Sequence, residues 1–116
     1  MPVDNQKIHE LADSGLLAGM YADDHFPDHL VDRGKAILLR LCERIEAAPV
    51  VDLTALYALT AVATREFNDL ESAFDAAGSE FETVAREEIG ESFFLVAEAY
   101  GFADADPERL IEERNW

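Results

Sequence analysis

Apolar residues recur along this chain at intervals of three and four rather than two, the period of amphipathic helices that bury one side. The first clear stripe reads Leu30, Gly34, Ile37, Leu38, Leu41 and Ile45. Pro27, with a fixed φ suited to a first helical position, starts this helix, and Asp28 complements its dipole. Asp24 or His25 lies near its cap, and Pro49 stops it after Ala47 or Ala48. A longer helix follows Asp52 as N-cap, with the stripe Leu56, Leu59, Ala63, Phe67, Leu70 and Phe74, and closes at Gly78 in the left-handed conformation.

Ser79 with Glu82 three residues on predicts a capping box for the next helix. Its stripe is Phe81, Val84, Ala85, Ile89, Phe93, Val96 and Tyr100, and Gly101 ends it. Gly90 falls inside this helix, where glycine costs about 1 kcal/mol relative to alanine; it marks a close helix crossing or a bend, and close packing is the expected reason. Residues 4 to 13 form a short first helix carrying Ile8, Leu11 and Ala12 that closes near Gly15, with Leu16, Leu17 and Met20 as a further turn. Asp106 caps a short last helix that begins at Pro107 and carries Leu110 and Ile111. No β-branched alternating run or internal repeat interrupts the pattern. The expected fold is all-α: a compact antiparallel helical bundle of three long helices plus short N- and C-terminal helices, in one domain over residues 1–116.

Composition agrees: 49% hydrophobic residues in 116 close one core without metals or disulfides. Charge adds a functional limit. The chain has 25 acidic and 9 basic residues, a formal charge of -16, which repels phosphate backbones and anionic lipid headgroups. Nucleic acid and membrane surfaces are therefore not expected partners. The imbalance is uneven: residues 1–65 hold 10 acids and 6 bases, whereas 66–116 hold 15 acids and 3 bases, so the second half carries -12. Cys42 is the one cysteine, set among Leu38, Leu41 and Ile45 as a small core hydrophobe, which fits a reducing cytoplasm. The first residues lack a signal-peptide pattern, and the longest uncharged run, Leu53 to Thr64, is well short of the ~20 residues that span a bilayer.

The densest polar cluster is Tyr21, Asp23, Asp24, His25, Asp28 and His29, a mixture of imidazoles and carboxylates of the kind found in metal and acid/base sites. Pro27 leaves His25 outside the helix that holds His29, so the two do not share a helical face. The weightier reading is that the aspartates cap and stabilise a helix start, with Tyr21 and Phe26 as a hydrophobic staple. A small-ligand or metal-dependent activity at this cluster is the alternative. Glu66 and Asp69 on the third helix, with Glu87, Glu88 and Glu91 on the fourth, form a second acidic group, because those two helices are expected to be neighbours. The chain contains no Glu-x-x-His, so a solvated acidic face is expected there rather than a carboxylate-bridged metal pair. Cys42, Thr60, Thr64 and Ser92 are the candidate nucleophiles, and none has a histidine nearby in sequence. Glycine-rich phosphate loops and zinc-type cysteine pairs are lacking, so no cofactor is implied. Trp116 reads as a terminal aromatic folded onto the bundle, with a partner anchor as the alternative.

The stretch MYADDHFPDHLVDRGKAILLRLCERIE, Met20 to Glu46, resembles a family of small bacterial proteins defined as a domain of unknown function. LYALTAVATREFNDL, SEFETVAREEI, AEAYGF and the ending RNW extend the resemblance from residue 20 onward, while residues 1–15 look more individual. It implies a bacterial source and a helical fold, and carries over no activity or catalytic residue. An aromatic often stands where His25 does in such proteins, which counts against a family-wide histidine metal site. From size and charge, the expected function is non-enzymatic: masking of a basic protein partner, as immunity proteins of bacterial toxin systems do. A homodimer through the face widened by Phe94 and Leu95 is a further alternative.

Overall fold

The computed structural model describes residues 6–13, 15–47 and 50–116. Six helices follow in order: α1 (Gln6–Asp13), α2 (Ala18–Tyr21), α3 (Asp28–Ala47), α4 (Leu53–Ala76), α5 (Thr83–Ala99) and α6 (Pro107–Leu110). Among the described residues there is no strand. The fold is all-α, with three long helices and short ones at either end, as the apolar periods require. The predicted start of the first helix at residue 4, and the stop at Ala48 and Pro49, lie outside the described residues.

Local signals set most of the boundaries. The Asp52 carboxylate accepts from the Ala55 N–H at 2.8 Å, capping α4. At its other end Gly78 adopts φ 76°, the Gly78 N–H donates to the Asp75 carbonyl at 3.0 Å, and the Ser79 N–H donates to Phe74 at 2.8 Å. This is a complete Schellman motif. Gly101 ends α5 in the same way, with the Phe102 N–H on the Ala97 carbonyl at 2.9 Å. Asp106 caps α6 by accepting from the Glu108 N–H at 3.0 Å, and Pro107 follows as the first helical residue.

Pro27 sits one place earlier than expected: its carbonyl already accepts from Leu30 and Val31 at 3.0 and 3.1 Å, so it caps α3 and Asp28 is the first helical residue. Ser79 and Glu82 form no capping box. The backbone of Ser79 is committed to the end of α4, α5 starts at Thr83, and Glu82 is an N-cap without a side-chain bond. Val84 is 42% exposed rather than core, because the buried face of α5 runs through Ala85, Ile89, Ser92, Phe93 and Val96, about 100° round the helix from it.

α3 and α4 pack along each other, whereas α5 lies against α2 and α6. α4 and α5 are thus not the close neighbours that the sequence suggested. They meet through Phe67 and Phe93, whose ring centroids are 5.7 Å apart. An aromatic row, Phe26 to Phe74 to Phe81 to Trp116, continues the core with centroid spacings of 6.0, 4.9 and 5.7 Å. Gly34 lets α3 approach this core: a Cβ there would lie 3.1 Å from both Leu17 Cδ1 and Phe67 Cε1. Gly90 does not play that role. A Cβ at Gly90 would make one ordinary contact, 3.6 Å from Ile111 Cδ1, so close packing does not explain it.

Polar groups buried between helices are bonded. The Thr64 hydroxyl lies 2.8 Å from the Thr60 carbonyl and 3.2 Å from that of Leu110, tying α4 to α6. Ser92 Oγ accepts the Leu17 N–H at 3.0 Å, and Glu88 Oε1 accepts the Gly19 N–H at 2.6 Å. These two bonds hold Leu17 in its left-handed conformation, φ 58°, a geometry that costs an ordinary residue about 1 kcal/mol or more. The radius of gyration, 13.5 Å, matches the ~13 Å of a close-packed domain of this length.

Candidate functional site

The Tyr21–His29 segment is the turn between α2 and α3, and its side chains serve that turn. Tyr21 donates its hydroxyl to Asp32 Oδ1 at 2.6 Å, and burial, then Asp32, raise its pKa. Asp23 Oδ1 accepts the His25 N–H at 2.9 Å, closing an Asx turn rather than capping α3. The His25 ring meets Phe26 edge-on at 4.7 Å, and its Nε2 lies 3.3 Å from the Glu80 carbonyl. Phe26 is buried against Phe74, while Asp24, Asp28 and His29 are exposed. Tyr21, Asp23 and His25 are thus taken up by the turn and its surroundings, while Asp24, Asp28 and His29 face solvent. Among the described residues, no group of three or more His, Cys, Asp or Glu is arranged to hold a metal ion.

The second acidic group is split by the fold. Glu66 accepts from Arg40 and Arg44 of α3, each at 3.0 Å, while Glu88 is spent on Gly19 across the α2–α5 contact. Neither offers a paired carboxylate for proton transfer. The candidate nucleophiles are all buried, and their hydroxyls bond backbone groups. Burial pushes the Cys42 thiol up to about 11, the direction that suppresses thiolate, with Tyr100 beside it and the Tyr100 hydroxyl on Glu46.

On α5 the structure joins two features that the sequence singled out separately, the acids Glu87 and Glu91 and the face of Phe94 and Leu95. Along α5, Glu87, Glu91 and Glu98 recur at intervals of four and seven and are all exposed. Between them Leu95 is 36% exposed beside the half-buried Phe94. Gly90, Glu91, Phe94, Leu95 and Pro107 line a mainly apolar groove of about 410 Å³. It continues past Gly90 into a second groove of about 340 Å³, between Glu87, Glu91, Glu108, Ile111 and Trp116 with Arg86 and Arg114. Arg114 pairs with Glu108 at 3.3 Å. Glu87 and Glu91 have no ion pair or hydrogen bond among the described residues.

The wall of this groove is built by the chain end. Asn68 on α4 donates to the Glu113 carbonyl at 2.9 Å and accepts the Asn115 N–H at 3.0 Å, which lays the last residues against the bundle. Trp116 then stacks edge-on to Phe81, as the folded-back reading expected, and its Nε1 is buried with no hydrogen-bond partner among the described residues. Asn68 was invisible in the sequence because its partners lie more than forty residues away.

A family model described as a family of unknown function (DUF5713) matches residues 10–116. The chain belongs to this family. The DUF5713 match begins within α1, so the individual N-terminal part is shorter than the resemblance suggested, and it takes in the whole α5–α6 groove and Trp116. No curated protein and no solved structure matches the chain.

Proposed function

We propose that this DUF5713 protein is a non-enzymatic binding protein that masks a basic partner in the bacterial cytoplasm, in the manner of immunity proteins. The observation that supports this reading is the face of α5, where Glu87, Glu91 and Glu98 stand exposed around Leu95 and Phe94. It belongs to the half of the chain that carries -12. Such a surface attracts cationic targets and can raise association rates by roughly 10- to 1,000-fold, an advantage that salt removes. The buried, bonded state of Thr60, Thr64 and Ser92 and the raised thiol of Cys42 favour binding over nucleophilic chemistry.

The test is affinity capture with the tagged full chain from bacterial lysate at low and moderate salt, followed by size-exclusion chromatography of what is retained. One basic protein that co-elutes in fixed ratio and weakens with salt is the expected result. Retention of no protein in either condition contradicts the reading.

A further inference from the structure

Three features of α5 are unexplained by the fold. Gly90 occupies the middle of a 17-residue helix, although a methyl group there would make only an ordinary contact with Ile111. Glycine in a helix interior is less stable than alanine, so packing gives no reason for it. Glu87 and Glu91 are like charges one turn apart, a spacing at which they repel. Neither is used internally, in contrast to Glu88, which binds the Gly19 N–H. Leu95 stays exposed on the same side.

All three coincide at one place. The missing side chain of Gly90 forms a notch shared by the apolar groove toward Leu95 and the groove toward Trp116. We infer that this notch is a docking site for a Lys- or Arg-bearing segment of a partner protein that seats one large apolar side chain between Gly90, Phe94 and Pro107. Its cations then lie along Glu87, Glu91 and Glu98. Glycine lets the occupant approach the helix backbone, the apolar anchor is desolvated, and the glutamates fix register and speed encounter. A second copy of this chain is a poor occupant, because an isologous contact would bring the same glutamates together.

This inference rests on the masking reading and narrows it to one surface. Gly90→Leu fills the notch with a good helix former; a thermal melt checks its fold, and the uncharged Leu95→Gln serves as the second variant. A random peptide library displayed on phage is selected against the full wild-type chain, then against Gly90→Leu. An enriched peptide is added to ¹⁵N-labelled protein. The expected result is enrichment of peptides that combine Lys or Arg with a large apolar residue and bind both variants about tenfold or more weakly. Their amide shifts should be confined to residues around Gly90, Leu95 and Pro107 and to the Trp116 indole. Equal binding to folded Gly90→Leu and Leu95→Gln, shifts elsewhere, self-association at this face, or no enrichment overturns the docking site. Failure is separable from that of the masking reading: a lysate partner that binds wild type and Gly90→Leu equally leaves masking in place and removes the notch.

Discussion

Two grooves of similar size run along the surface of this molecule, and they differ in what their charges do. The one between α3 and α4, about 370 Å³, is lined by Arg33, Arg40, Glu66 and Asp69, and Glu66 is clamped by Arg40 and Arg44 at 3.0 Å each. The one on α5, about 410 Å³, is apolar and flanked by Glu87, Glu91 and Glu98, with Glu87 and Glu91 unpaired among the described residues. A chain of -16 therefore neutralises Glu66 locally in one place and leaves Glu87 and Glu91 open in another. Charge that the fold satisfies is explained by the fold; charge left beside an exposed leucine and a removable glycine points outward. The two glycines sharpen the contrast. Gly34 is required by its neighbours, and Gly90 is not.

The largest expected effect concerns the join between the two regions, where Cys42 of α3 lies beside Tyr100 at the end of α5. The Cys42 thiol is pushed from 9.0 to about 11, chiefly by burial, and burial also raises Tyr100. Above pH 9 the unfolded chain has lost the thiol proton that the folded chain retains. The unfolded state thus binds fewer protons, and stability falls as pH rises toward 11. Urea unfolding at stepped pH should show a loss of about 2 kcal/mol or more over this interval, to which Tyr21 and Tyr100, also raised chiefly by burial, contribute near pH 10 and above; the thiol's share should be missing in Cys42→Ala after allowance for its own lower baseline. An alkaline limb that is unchanged in Cys42→Ala would rule out this origin.

Gly34→Ala tests the satisfied side. The new methyl would press on Leu17 and Phe67, both fully buried, and overpacking outweighs the gain in helix propensity. A loss of about 1 kcal/mol in urea unfolding is expected, and a gain would show that α3 can move away. Glu66→Gln should have a smaller effect, roughly 0.5 kcal/mol, because both ion pairs are partly exposed. That difference should shrink in high salt; salt-independence would mean that packing, not charge, is lost.

Much of the fold was legible because its determinants are local. Asp52, Gly78, Gly101 and the Asp106–Pro107 pair act through bonds within a few residues, and the stripes of α3 and α4 follow from the helical period. The Ser79–Glu82 capping box failed because the same backbone was already required by the Schellman turn after Phe74, a competition that spacing does not reveal. The candidate site was less legible. The Tyr21–His29 cluster has the composition of a functional site, yet Asp32, the Asp23 turn and the Glu80 carbonyl take up Tyr21, Asp23 and His25 one by one. Glu66 and Glu88 were expected on a shared face, and only long-range geometry shows that they serve different contacts. Gly90 was visible in the sequence, but its reason depends on what α6 leaves uncovered.

Whether Gly90 is kept for an occupant rather than for the fold can be read without a partner, by urea unfolding of Gly90→Ala beside wild type. A higher unfolding midpoint with an unchanged slope is expected, a gain of about 0.5–1 kcal/mol from helix propensity alone. A lower midpoint would show that the fold itself needs this glycine, and the docking notch would lose its main support.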